Sequence, residues 1–245
     1  MKNPFETDYE RFIYTSRYAR WIEAEKRREN WDETVARYLT FMRNHLLNNH
    51  HYELSHELYE QLFNAIYEFK VMPSMRAMMT AGPALLRDNT AGYNCSYLPI
   101  DDPKAFDEAM YILLCGTGVG FSVERQYIQK LPEVPDQLFE SATTVVVSDS
   151  KEGWAKSYRQ VIALLYSGEI PRWDVSKVRP AGARLKTFGG RASGPGPLEE
   201  LFRFTINKFR GAAGRRLNSL ECHDLLCKIG EVVVVGGVRR SAMIS

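Results

Sequence analysis

Beyond Gly82 the apolar residues stop recurring at every third or fourth position and gather into short runs, each followed by a stretch of helix length. That alternation constrains the fold more than any other feature, because it is the pattern of α/β architecture with parallel strands. Before it the pattern is helical. From Tyr9 to about Lys70, apolar positions such as Val35, Leu39, Met42 and Leu46 recur at the helical period, and Asn30 with Glu33 forms a capping box. A second helix is expected from Ser55, with Leu58, Leu62, Ile66 and Phe69 on one face and its end marked by Pro73. The chain therefore reads as a helical N-terminal region, residues 1–70, followed by an α/β region, residues 71–245.

Punctuation places the elements of the second region. Asp102 caps a helix over 103–115, Pro103 sits in its first turn and Gly116 ends it. A strand is expected at Gly120 to Glu124, and a buried strand at Thr143 to Ser148 from its β-branched content. Lys151 to Tyr166 reads as the next helix, closed by Gly168 and Pro171. A loop rich in Gly, Pro and Arg spans Arg179 to Pro197, followed by helices at Leu198 to Arg210 and Ser219 to Gly230. Glu231 to Val235, with its four valines, reads as a final central strand needing neighbours on both sides, which a partner polypeptide would supply.

Charge and cysteine usage exclude several classes. A net charge of +2 from 32 basic and 30 acidic residues gives no electrostatic case for nucleic-acid binding, so any basic function is local. Cysteines at 95, 115, 222 and 227 have neither the density of a disulfide framework nor a zinc-type Cys-x-x-Cys pair, which points to a reducing cytoplasm. No apolar run reaches the roughly 20 residues of a membrane span, and the N-terminus has no apolar signal core. Four of the five histidines fall between His45 and His56 without a paired ligand spacing, so no metal is assigned.

Five stretches could carry chemistry. Cys95 lies between Asn94 and Ser96 close to Gly92, where the backbone can approach a ligand; read alone, it is either a redox thiol or a small packing residue. Gly116 to Gly120 is Gly-rich, but it follows a helix and has Phe121 where a dinucleotide fingerprint needs its third glycine. Asp149 and Ser150 stand where a strand gives way to a helix, either as a cap or at the ligand-binding edge of an open sheet. Arg184, Lys186 and Arg191 in one loop, and Arg239 and Arg240 in another, suit phosphate or base recognition, or form solvated basic turns.

Taken in order, Met72 to Arg76, Asn94 to Ser96, Gly116 to Phe121, Val147 to Ser150, Gly182 to Gly190 and Gly237 to Ala242 resemble the N-terminal half of class II, adenosylcobalamin-dependent ribonucleotide reductases, in the branch of the monomeric triphosphate enzymes. The resemblance implies the first half of a ten-stranded α/β barrel behind the helical region. It implies that Cys95 is one of two cysteines that become a disulfide as the ribose 2′-hydroxyl leaves as water. Their thiyl-radical partner chemistry, and most of the adenosylcobalamin site, would lie in a C-terminal segment. Ser74, Asn94, Ser96, Gly118, Val119 and Gly120 would contact the ribonucleotide. Asp149, Ser150, Arg184, Lys186, Arg239 and Arg240 would serve a deoxynucleotide effector, and a thioredoxin-type protein would reduce the disulfide. Cys115, Cys222 and Cys227 are read as packing residues. Two alternatives stay open: a class I large-subunit fragment, and a non-catalytic nucleotide-binding regulatory module.

Overall fold

A computed structural model of the chain describes residues 4–183, 191–235 and 242–245, with backbone alone at 234 and 235. It divides into two compact units, Met1–Tyr93 and Asn94–Ser245. In the first, helix α1 (Asp8–Arg17) leads through a two-residue hairpin, β1 (Trp21–Ile22) and β2 (Arg27–Arg28), into α2 (Trp31–His50) and α3 (His56–Tyr67). Two short helices, α4 (Met75–Thr80) and α5 (Pro83–Arg87), and a 3-10 turn (Asn89–Gly92) complete it.

The expected caps form. The Asn30 amide donates to Glu33 at 2.7 Å, and the Ser55 hydroxyl accepts the Leu58 amide at 3.2 Å. The expected stripe on α3 fails at its last member. The helix ends at Tyr67, and Phe69 adopts φ +59° and stacks on Trp31 at 5.1 Å. The Tyr67 carbonyl is taken by the Trp31 indole N–H at 3.1 Å, which fits a chain leaving the helix there.

The unit boundary lies at Tyr93/Asn94 rather than at residue 70, for a polar reason. Met78 of α4 is fully buried with Tyr14, Trp31, Val35, Leu39 and Ile66. Around it, Arg37 donates to the carbonyls of Met78 and Ala81 at 2.9 and 3.0 Å, and Arg20 donates to that of Met79 at 2.9 and 3.2 Å. Two guanidinium forks thus satisfy the carbonyls at the end of α4, where helix geometry leaves them without partners, and tie the 71–82 stretch to the helical unit. Arg37 is itself fixed by a bidentate pair with Glu29, at 2.7 and 3.0 Å.

The second unit holds β3 (Cys95–Pro99), α6 (Ala105–Leu114), β4 (Gly118–Ser122), α7 (Arg125–Ile128), β5 (Phe139–Val146), α8 (Lys151–Tyr166), β6 (Glu169–Asp174), α9 (Gly196–Gly211), α10 (Ser219–Val235) and β7 (Met243–Ile244). Strand pairing is parallel, as the alternating pattern predicts, but the strands do not join one sheet: β3-β4-β7 form one and β5-β6 another. A single apolar core runs through α6, α8, α9, α10 and the inner faces of both sheets.

Four element expectations need correction. Glu231 to Val235 is not a strand: α10 continues through it, because Cys222, Leu225, Leu226, Ile229 and Val232 fall at helical spacing and are all buried in that core. Burial outweighs the modest helix aversion of valine, and the argument that this run needs neighbouring strands falls with it. The strand at 143–148 begins earlier, at Phe139, and is largely exposed, with Val145 and then Val147 facing inward. The strand expected at 120–124 runs Gly118–Ser122, and Pro171, expected to close a helix, lies inside β6.

Candidate functional site

The alternation of side chains along a strand sorts the residues of the β3-β4-β7 sheet onto two faces. Leu98, Val119, Phe121 and Met243 face the core. The other face carries Cys95 and Tyr97 on β3, Gly118, Gly120 and Ser122 on β4, and Ile244 on β7. It is open: Cys95 is exposed, Tyr97 is 62% exposed and Ile244 72%. The parallel register sets Cys95 beside Gly118 and Tyr97 beside Gly120, so the strip next to the thiol carries no side chain. A Cβ at Gly118 would meet the backbone oxygens of Ala242 and Asn94 at 3.3 and 3.4 Å.

Of the residues expected to contact substrate, the strands bring Cys95, Gly118 and Gly120 onto this face, with exposed Asn94 just ahead of it. Val119 is corrected: its side chain is buried on the core side, and only its backbone shares the strip. Ser96 points the same way as Leu98, and its hydroxyl donates to the Gly118 carbonyl at 2.9 Å, so its proton holds the two strands together rather than standing free for a phosphate. Ser74 belongs to the first unit, exposed at the start of α4, where its hydroxyl accepts the Ala77 amide at 3.5 Å. Tyr97 was missed by the sequence reading, although the two-residue strand period after Cys95 is a signal for it.

The second cluster lies where β5 ends and α8 begins. The Ser150 hydroxyl caps α8 by accepting the Gly153 amide at 2.9 Å. The Asp149 carboxylate takes both its oxygens to the Arg179 guanidinium, at 2.8 and 3.0 Å, a partner 30 residues away that the sequence did not indicate. Gly153 permits a close approach, since a Cβ there would stand 2.5 Å from the Ser148 carbonyl oxygen. Two adjoining open grooves, each about 300 Å³, run along this edge and share Thr144 and Gln160; Ser148, Gly153 and Lys156 line the nearer one. Arg184, Lys186, Arg239 and Arg240 lie outside the described residues. Arg191 donates to the Gly182 carbonyl at 3.0 Å, bracing the base of its loop.

The other cysteines divide. Cys222 is fully buried and its thiol is pushed up to about 12 by that burial, the state of an inert packing residue. Cys115 is buried with the Lys151 ammonium 3.1 Å from its sulfur. Cys227 is corrected: it is exposed, with its sulfur 3.7 Å from His223 one turn earlier on α10. Among the described residues no group of three or more His, Cys, Asp or Glu is placed to hold a metal ion, and no helix is long and apolar enough to cross a membrane. The residues lining the two grooves do not fit a corrin, because each groove has only the volume of the smallest ligand sites.

Comparison with known proteins gives these features a family context. Residues 1–83 match the model of the ribonucleotide reductase alpha domain, and residues 122–209 that of the insertion domain of B12-dependent ribonucleotide reductase. The chain is 31% identical to an adenosylcobalamin-dependent ribonucleoside-triphosphate reductase of Lacticaseibacillus paracasei over 95% of its own length and 40% of the relative's. It is 29% identical to the enzyme of the same description from Lactobacillus gasseri, over 94% and 40%. A crystal structure of a B12-dependent (class II) ribonucleotide reductase superposes with a TM-score of 0.82 at 25% identity, covering 95% of this chain and 40% of that one. The chain thus spans about 40% of the length of the relatives it matches.

Proposed function

We propose, for a chain that belongs to the class II, B12-dependent ribonucleotide reductase family, that it forms the substrate-side N-terminal segment of an enzyme converting ribonucleotides to deoxyribonucleotides in the cytoplasm. The observation that carries this reading is the open sheet face, where an exposed thiol at Cys95 adjoins the bare backbone of Gly118 and Gly120. A ribose can approach such a strip closely, because nothing projects from it. Cys95 then acts as one member of a thiol pair that delivers two electrons and becomes a disulfide while the 2′-hydroxyl departs as water. A C-terminal segment supplies the second thiol and the radical-bearing cysteine, and a thioredoxin-type dithiol restores the pair by exchange.

In this reading β3, β4 and β7 are strands of the ten-stranded barrel, and β5 with β6 belongs to the inserted domain, consistent with their separate pairing. Asn94 and the backbone of 118–120 contribute to the substrate site. Asp149, Ser150, Arg184, Lys186, Arg239 and Arg240 contribute to a deoxynucleotide effector site. Adenosylcobalamin, on which the relatives depend by description, supplies the radical chemistry when bound.

The test is deoxyribonucleotide formation from each ribonucleotide with a dithiol and adenosylcobalamin, using this chain alone and with a matching C-terminal segment. Activity is expected only in the mixture, and Cys95→Ser should abolish multiple turnover there while deoxynucleotide binding persists. Normal turnover by that variant would remove Cys95 from the mechanism. Effector binding by the chain with no activity in either preparation would favour a regulatory module instead.

A further inference from the structure

The open face of the β3-β4-β7 sheet holds an aromatic ring to which the redox chemistry gives no task. Cys95 and Tyr97 lie on the same side of β3, about 7 Å apart along the strand. Single exposed aromatics are common and need no explanation, but this one has a defined setting. The Tyr97 hydroxyl neighbours that of Tyr127, presented by α7, and the Lys130 ammonium stands 5.7 Å from the centre of the Tyr127 ring. Lys130 is in turn paired with Asp101 at 3.1 Å. Beside the ring, Gly120 leaves space: a Cβ there would come 3.9 Å from Tyr97 Cδ2 and 3.6 Å from Ile244 Cγ2. Tyr97 therefore forms one wall, and Ile244 the other, of a slot whose floor is bare glycine backbone.

The two ends of this slot differ chemically. At the Tyr97 end stand Glu124, bonded to the Ser122 hydroxyl at 3.0 Å, and Asp101; the neighbouring Tyr97 hydroxyl first, and these carboxylates after it, raise the Tyr127 hydroxyl above its ordinary range. Such an end repels phosphate and tolerates a neutral planar group. At the Cys95 end, exposed Asn94 and the glycine backbone present no carboxylate.

We propose that Tyr97 is a positioning residue for the nucleoside part of the ribonucleotide, its ring packing against the base while the phosphates lie away from the Glu124 end. The proposal rests on reading this face as a ribonucleotide site. In the complete reductase carrying this segment, Tyr97→Ala should raise KM for the ribonucleotide about tenfold, the loss of one base–aromatic stacking contact, with kcat little changed. Inhibition by inorganic tripolyphosphate, which has no base, should not move. Tyr97→Phe and Tyr127→Phe, which both keep the Tyr97 ring, should keep nearly the wild-type KM. An unchanged KM in Tyr97→Ala, or a parallel loss of tripolyphosphate inhibition, would overturn the proposal. A wild type that forms no deoxyribonucleotide would instead remove the ribonucleotide-site reading and the proposal with it, a result distinct from an active enzyme with unchanged KM.

Discussion

The helical unit and the α/β unit each pack several helices, yet they are held together by different physics. Through the middle of the first run Glu29, Arg37 and Arg20: the Glu29 carboxylate accepts from the Arg37 guanidinium, the Arg20 backbone amide and the Thr34 hydroxyl, and the two guanidinium groups donate to the carbonyls of Met78, Met79 and Ala81. The second has one contiguous apolar core, and its buried acid, Asp107, is answered by Arg159 at 2.7 Å from the rim. A buried ion pair contributes little net stability over an apolar replacement of the same shape, but it tolerates only one geometry. The first unit thus uses charge to fix where the 71–82 stretch lies, while the second uses area to hold up the sheet that presents Cys95.

The largest effect that would test this contrast is loss of an aromatic from the apolar core. Phe202 is fully buried against Trp173 and Tyr158, so Phe202→Ala should cost about 3–5 kcal/mol in urea unfolding. Hydrogen exchange should show faster amides across α8, α9 and α10 together, since one core links them. A loss confined to α9 would break the claim of a single core.

Next comes the polar centre of the other unit. Glu29→Gln leaves the Arg37 guanidinium, only 17% exposed, without its counter-charge, which should cost about 2–3 kcal/mol. Exchange should rise most in α2 and α4, whose carbonyls Arg37 holds. Unchanged protection of α4 would show that Met78 packing alone places it.

Acid should separate the units as well. Glu33 is held down to about 2 from the ordinary 4.5, chiefly by its hydrogen bond from Arg27. At Glu29 burial pushes the carboxyl up, but the Arg37 bond and charge, the Arg20 amide and the Thr34 hydroxyl together bring it below the ordinary value. In both cases the unfolded chain binds the proton more readily, so their stabilisation is complete above about 4.5 and is lost as pH falls towards 2. Asp107 has the opposite sign. Burial raises its carboxyl from 3.8 against the pull of Arg159, so the folded state binds the proton more readily and its contribution weakens as pH rises above about 3.8. Between pH 5 and 2 the helical unit should therefore lose amide protection first; simultaneous loss would mean that these carboxylates do not govern it.

How much of this was legible depended on whether the deciding contact was local. Both ends of α8 were readable, because Ser150, the residue just before it, caps it and Gly168 turns it with φ +85°. The valine run of α10 was not, since β-branched residues favour strand until Val232, three residues after Ile229, is buried in the core at helical spacing. The strand that carries Cys95 was not read from the sequence, and strand alternation excludes the Val119 side chain only once β4 is known to start at Gly118. The Asp149–Arg179 pair and the grip of Arg37 on α4 bridge 30 and 41 residues, and no spacing rule reaches that far.

The smallest effect sharpens the contrast at the level of a single hydroxyl. Ser55 caps α3 in the helical unit and Ser150 caps α8 in the other, each accepting one amide, at 3.2 and 2.9 Å. As caps they are equivalent, so Ser55→Ala and Ser150→Ala should each cost about 1 kcal/mol. Their surroundings differ, because Ser150 follows Asp149 with its Arg179 partner and adjoins the groove at Ser148, Gly153 and Lys156. Thermal unfolding with and without a deoxynucleoside triphosphate separates the two roles. If the α8 edge binds effector, ligand should raise the midpoint of Ser55→Ala as much as that of wild type, and that of Ser150→Ala by less. Equal ligand shifts in both variants would leave Ser150 as a helix cap alone, and the difference between the units would then lie in their interiors and not at this edge.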